Sequence, residues 1–166
     1  MQRTERISWK EFEMLIDIMV SQFNQEIDAM LLITRGGVIP GGMLAETMDV
    51  KEILTAAVDF PAAHQRDPHN RFLMFPNFLQ FPKETLLSNK KVLVVDDVWG
   101  SGRTITAVKS RVEAAHGIAY TAVIHFNPYR NLFGNSRPDY YGAITDAHIV
   151  YPWEIIHGLD RVPKGF

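Results

Sequence analysis

The stretch from Lys91 to Thr104, K-V-L-V-V-D-D-V-W-G-S-G-R-T, constrains the fold more than any other part of the chain. Val92 to Val95 is an apolar, mostly β-branched run. It is too short for a buried helix and suits a strand covered on both faces of a parallel sheet. Asp96 and Asp97 then place two carboxylates where that strand is expected to run out. Gly100, Ser101, Gly102, Arg103 and Thr104 follow as a small-residue turn, and a helical pattern begins directly after it. Such a loop presents consecutive backbone N–H groups at a helix N-terminus, which is a place to hold a phosphate. The plainer alternative is an ordinary strand-to-helix turn with a Ser or Thr cap. Two adjacent acids leaving a buried strand are costly without partners, however, and a packing turn has no use for them. Neither G-x-x-x-x-G-K-[ST] nor G-x-G-x-x-G is present. Carboxylates accept hydrogen bonds from hydroxyls, so the stretch suits a ligand that joins a phosphate to a sugar diol.

The rest of the chain builds a frame around this segment. Ser8 to Glu11 reads as a capping box, with Ile7 and Phe12 placed for a hydrophobic staple. Phe12, Leu15, Ile16, Met19, Val20 and Phe23 then recur at helical spacing. Ala29 to Thr34 reads as a second buried strand ending in Arg35, Gly36 and Gly37, with a short helix after Pro40. This strand, glycine turn and helix repeat the logic of the first motif, and Arg35 adds positive charge to a second anion site. Ile53 to Phe60 is a further strand. The span 61–82 is irregular, broken by Pro61, Pro68, Pro76 and Pro82, and carries both basic residues and the apolar Phe72, Leu73, Phe75, Phe78, Leu79 and Phe81. A structureless stretch of this length is usually a functional lid or disordered, while its apolar cluster also fits a hairpin arm packed on the domain or a subunit contact. Ile105, Val108, Val112 and Ala115 predict a helix that Gly117 terminates. Tyr120 to Phe126 and Tyr140 to Ile144 are the remaining strands, the latter the last. Alternating strands and helices predict a three-layer α/β fold with a mainly parallel sheet, and a ligand at the carboxyl ends of its strands.

With its acids and turn, V-L-V-V-D-D-V-W-G-S-G-R-T resembles the phosphoribosyl-pyrophosphate (PRPP) signature of the type I phosphoribosyltransferases. The resemblance implies that Asp96 and Asp97 hold the ribose 2′ and 3′ hydroxyls and that Gly100, Ser101, Gly102, Arg103 and Thr104 hold the 5′-phosphate. The string I-T-R-G-G-V-I-P-G-G-M-L-A looks like the pyrophosphate loop of the purine members. It implies that Arg35, Gly36 and Gly37 bind the leaving diphosphate, and that the peptide at the first of these glycines is cis. Arg35, Asp96 and Asp97 are then the catalytic residues, with Mg²⁺ carried mainly on PRPP and pyrophosphate oxygens. The tail D-A-H-I-V-Y-P-W-E resembles the base-binding tail of bacterial xanthine-guanine and archaeal hypoxanthine phosphoribosyltransferases. It implies a base-binding region over about 127–158, with Asn127, His148 and Ile149 against the base, and a lid over about 61–82. The implied activity is transfer of phosphoribose from PRPP to a nucleobase, a purine as first choice, in nucleobase salvage by a homo-oligomer.

Three positions depart from the family pattern. Gly100 stands where 6-oxopurine enzymes usually carry an aspartate facing N7, so no side-chain base is available there. Asn127 stands where they usually have a lysine for the 6-oxo group, and an amide can donate or accept. His148 replaces the more usual Trp or Phe against the base, while Tyr151 and Trp153 read as structural. The D-D-V-x-x-[ST]-G-R-T form also appears in pyrimidine-operon regulators, and Gly100 keeps open a PRPP- or nucleotide-binding regulator with little or no transfer.

Composition narrows the partners. The 166 residues are enough for one domain with a substantial core. A formal net charge of −2 gives no reason to expect a nucleic-acid or membrane-surface partner. Absence of cysteine rules out disulfide and thiol chemistry and fits a cytoplasmic protein. No stretch is apolar enough for a membrane span, and the N-terminus M-Q-R-T-E-R does not read as a signal peptide.

Overall fold

A computed structural model describes residues 3–60 and 75–155. Strand β1 (Thr4–Arg6) leads into helix α1 (Trp9–Val20). The capping box forms as the sequence predicts: the Glu11 amide donates to Ser8 Oγ at 3.2 Å, and the Ser8 amide to Glu11 Oε2 at 2.7 Å. Strand β2 (Ala29–Ile33) is followed by α2 (Val38–Thr47), which starts before Pro40 and carries that proline in its first turn, where a missing N–H does no harm. Next come β3 (Glu52–Asp59) and β4 (Asn77–Gln80). Strand β5 (Lys91–Trp99), helix α3 (Arg103–Ala114) and β6 (Ile118–Phe126) form the central unit. Two strands, β7 (Tyr140–Ile144) and β8 (His148–Val150), complete the described chain.

The main sheet has six strands in the order β4-β3-β2-β5-β6-β7. All pair in parallel except β4, which runs antiparallel to β3. Alternation along the strands divides the core between two faces. Met30, Leu32, Leu93, Val95 and Ile124 pack with Phe12, Ile16 and Met19 of α1 and Leu44 of α2. Leu31, Ile33, Val92, Val94 and Val123 pack with Ile105, Val108 and Val112 of α3. The expected three-layer, mainly parallel α/β architecture is therefore present.

Three differences from the sequence reading bear on the site. First, β5 does not end at the acid pair. Its pairing with β2 stops at Leu32↔Val95, whereas its pairing with β6 continues to Trp99↔Phe126. One-sided backbone pairing holds a strand even where its side chains are polar. Second, Tyr140–Ile144 is not the last strand: His148–Val150 pairs in parallel with Thr4–Arg6, making a separate two-stranded sheet. Third, within the span 61–82 expected as a lid, residues 61–74 lie outside the described residues. The remainder contains β4, with Phe78 and Phe81 packed against the α3 side of the core and the Arg111 guanidinium 4.2 and 4.6 Å from their ring centres.

Gly102 fixes the entry to α3. It has φ +81°, and a Cβ there would lie 2.4 Å from Nε1 of the buried Trp99. Gly100, two residues earlier, has open space around its Cβ position and no positive φ. Gly102→Ala is expected to lower unfolding stability by about 1–3 kcal/mol, and Gly100→Ala to change it by less than about 0.5 kcal/mol. Urea unfolding midpoints of both variants test the contrast.

Candidate active site

Chain order reverses between β2 and β5, because the chain moves outward through β3 and β4 and then returns to the other side of β2. The β2–α2 and β5–α3 turns diverge at this switch point, where open α/β sheets form a crevice for ligands. The two turns touch. A Cβ on Gly36 would stand 2.5 Å from Cγ and Oδ1 of Asp97, and one on Gly37 would stand 2.2 Å from the Val95 carbonyl oxygen. Only glycine permits this approach. Arg35, beside them, is exposed and forms no ion pair among the described residues. The cis peptide in this turn is Thr34–Arg35, one bond earlier than the position expected from the family resemblance.

Asp96 and Asp97 sit at the mouth of this crevice. The Asp97 amide donates to Asp96 Oδ1 at 3.0 Å, and the Val98 amide to Asp97 Oδ1 at 2.7 Å. Burial holds the Asp96 carboxyl well above the usual carboxylate range, and the charge of Asp97 adds to the effect. Burial likewise pushes Asp97 up to about 6; the Val98 hydrogen bond opposes the rise and the Glu154 charge reinforces it. Beyond the acids, the amides of Ser101, Gly102 and Thr104 donate to no acceptor among the described residues. They stand at the N-terminus of α3, where free amides are the kind of group that can receive an anion. The Arg103 amide is turned to Ser101 Oγ at 3.4 Å.

On the other side of β5 a cleft opens, lined by Asp97, Val98, Gly100, Asn127, Arg130, Ala147, His148, Ile149, Tyr151 and Glu154. All three residues expected at the base thus line one cleft together with Asp97 and Gly100. Ile149 and Asn127 are buried, whereas His148 is exposed at the edge. The Tyr129 amide donates to Asn127 Oδ1 at 3.2 Å, so the amide group that remains for the cleft is the Nδ2 donor. Register of the tail comes from the N-terminus: the His148 amide donates to the Arg3 carbonyl at 2.7 Å, and the Ile7 amide to the Val150 carbonyl at 3.2 Å.

Arg130, Tyr151 and Glu154 were not singled out by sequence as site residues. Arg130 lies in an irregular loop that no periodicity places. The pair Tyr151 and Glu154 did carry a local signal, since Pro152 and Glu154 occupy the N1 and N3 positions of a short capped turn. The Tyr151 amide donates to Glu154 Oε2 at 2.7 Å. His125, a buried residue of β6, hydrogen-bonds the Tyr151 hydroxyl through Nδ1 at 2.9 Å, and burial lowers its pKa to about 4.

Two glycine turns that meet at the acid pair, with a cleft alongside, thus form one contiguous candidate site. The family model for the phosphoribosyl transferase domain matches residues 5–141. A xanthine-guanine phosphoribosyltransferase of Cereibacter sphaeroides is 26% identical over 132 residues, covering 76% of this chain and 69% of that protein. Among solved structures, a purine phosphoribosyltransferase from Pyrococcus horikoshii superposes with a TM-score of 0.74 at 23% identity, over 95% of this chain and 98% of that one. A protein from Neisseria gonorrhoeae with bound ppGpp gives 0.76 at 21% identity, over 95% and 92%. The chain belongs to the phosphoribosyl transferase family, as a type I phosphoribosyltransferase close to the purine enzymes.

The raised carboxyls make a testable statement about stability. Between 3.8 and about 6 the folded protein holds a proton on Asp97 that the unfolded chain has released, so this group's contribution falls as pH rises. His125 acts oppositely: between about 4 and 6.5 the unfolded chain binds the proton, so its contribution rises with pH. Asp97→Asn removes the first effect, together with the charge that raises Asp96, and leaves the second. The variant is expected to be more stable than wild type near neutral pH, by up to roughly 3 kcal/mol, and to lose stability more steeply on acidification. Denaturant unfolding across pH 4 to 7 measures both.

Proposed function

We propose that this enzyme transfers phosphoribose from PRPP to a 6-oxopurine in purine salvage. The observation that carries this reading is the meeting of both glycine turns and the acid pair at one switch point, with the Asn127 donor in the adjoining cleft. The amides of Ser101, Gly102 and Thr104 would bind the 5′-phosphate. Asp96 and Asp97 would accept hydrogen bonds from the ribose diol, and the Gly36–Gly37 turn with Arg35 would bind the diphosphate. A ring nitrogen of the base bonds to the anomeric carbon as the carbon–oxygen bond to pyrophosphate breaks, and the imidazole-ring proton of the base passes to water, since Gly100 offers no side-chain base. The electron pair leaves with the diphosphate, where Arg35 and backbone donors stabilise it.

No group of three or more His, Cys, Asp or Glu side chains is gathered to hold a metal ion among the described residues, so Mg²⁺ would be carried mainly on the hard oxygens of PRPP and pyrophosphate. Bound with PRPP, the ion would supply charge neutralisation on the diphosphate.

Asn127 selects the base edge. With its oxygen engaged by Tyr129, the remaining NH₂ group favours a carbonyl over an amino group at position 6. A purine-nucleotide-binding regulator is the second reading, favoured by Gly100 and by the ppGpp-bound Neisseria gonorrhoeae structure. A panel of guanine, hypoxanthine, xanthine and adenine with PRPP and Mg²⁺, read as nucleotide formed, separates the two. Product from oxopurines but little from adenine is expected. Preference for adenine contradicts the role of Asn127, and tight nucleotide binding with no product from any base favours the regulator.

Gly100→Asp supplies the missing base at a position with open space and no positive φ. It is expected to raise kcat/KM on an oxopurine, within the roughly hundredfold to ten-thousandfold range of a positioned general base. An unimproved rate in a folded variant would show that transfer here does not wait on that proton.

A further inference from the structure

Tyr151 is among the largest fully buried side chains of the described structure, stacked on Trp153 with ring centres 4.6 Å apart and planes 6° from parallel. A phenylalanine would fill the same space, so its hydroxyl needs a separate explanation. That hydroxyl donates to the Asp97 carbonyl at 2.9 Å and accepts from His125 Nδ1 at 2.9 Å. Since the tyrosine proton is directed to the carbonyl, His125 must carry its own proton on Nδ1. The connection spans three parts of the site. Asp97 is on β5, His125 on β6, and Tyr151 in the tail immediately before the turn that holds Glu154. It also falls where the sheet is incomplete, because β2 leaves the ladder after Leu32↔Val95 and no longer flanks β5 at Asp97.

We propose that Tyr151 is a positioning residue for phosphoribosyl transfer. Its hydroxyl, oriented by His125, ties the Asp97 peptide to the tail that walls the base cleft. The ribose-binding acid and the base are thereby held in one register. The inference rests on the reading above, in which Asp97 contacts ribose and the cleft holds the base. Each half-site can form without the link, since the phosphate turn and the Asn127 donor are built from other residues. What the link sets is the relative placement of the two reactants, to which rate is far more sensitive than either affinity.

The test compares wild type with Tyr151→Phe, His125→Asn and His125→Leu. Its readouts are kcat on an accepted purine, the calorimetric Kd of PRPP and of the base measured singly, and Tm. For Tyr151→Phe, kcat is expected to fall roughly tenfold to a hundredfold while each single Kd stays within about threefold of wild type. His125→Asn keeps a donor near the Nδ1 position and should exceed His125→Leu in kcat. A stability role alone would lower Tm and leave kcat per folded enzyme unchanged. The proposal is overturned by a folded Tyr151→Phe enzyme with kcat within about twofold of wild type, or by a loss confined to the single Kd values. If Tyr151→Phe does not fold, the histidine pair decides: equal kcat for His125→Asn and His125→Leu overturns the proposal. A wild type that transfers to no base brings down the function reading and this inference with it. An active wild type with an indifferent Tyr151→Phe removes the inference alone.

Discussion

Everything at this site depends on one close contact, between the backbone of Gly36 and the carboxylate of Asp97. It brings the turn after β2 against the acid pair on β5, and so joins two separate glycine turns into one crevice. Both carboxylates are half-buried and form no ion pair among the described residues, and burial raises both acids above their usual range. Ionising these acids in the folded protein is therefore costly, and a ligand that donates hydrogen bonds to them would offset that cost. Local instability at a binding site, offset by a well-packed core on both sheet faces, is the pattern expected where function opposes folding.

The cleft beside β5 is assembled differently. Its walls come from the end of β5, the loop after β6 and the β8 tail, and the tail is held by β1 from the start of the chain. The β6–β7 loop is pinned in turn: Trp99 Nε1 donates to Asn131 Oδ1 at 3.2 Å, and the Leu132 amide to the Ser101 carbonyl at 3.1 Å. Residues far apart in sequence therefore share hydrogen bonds with the β5–α3 turn, and Gly102 is confined by the same tryptophan.

Sequence was informative wherever chemistry is local. The capping box at Ser8, the apolar run before Asp96 and the small-residue turn at Gly100–Thr104 each carry their own physical cause. Asn127, His148 and Ile149 were placed by resemblance, and they do line one cleft. Strands β1, β4 and β8 escaped notice because three or four residues are too few to show a period. The extension of β5 through two acids was hidden because apolar patterning cannot report a strand paired on one side only. His125 was invisible as a polar partner of Tyr151, because that hydrogen bond joins residues 26 positions apart. The orientation of the Asn127 amide likewise follows from a backbone contact that composition does not encode.

The central claim is that the acid pair on β5 is the ribose anchor. Isothermal calorimetry of PRPP with Mg²⁺, comparing wild type with the Asp96→Asn, Asp97→Asn double variant, tests it most directly. Amides are poorer acceptors than carboxylates, so the folded double variant should bind PRPP at least about tenfold more weakly, while inorganic pyrophosphate, which has no diol, should lose much less. Unchanged PRPP affinity in the double variant would contradict the account.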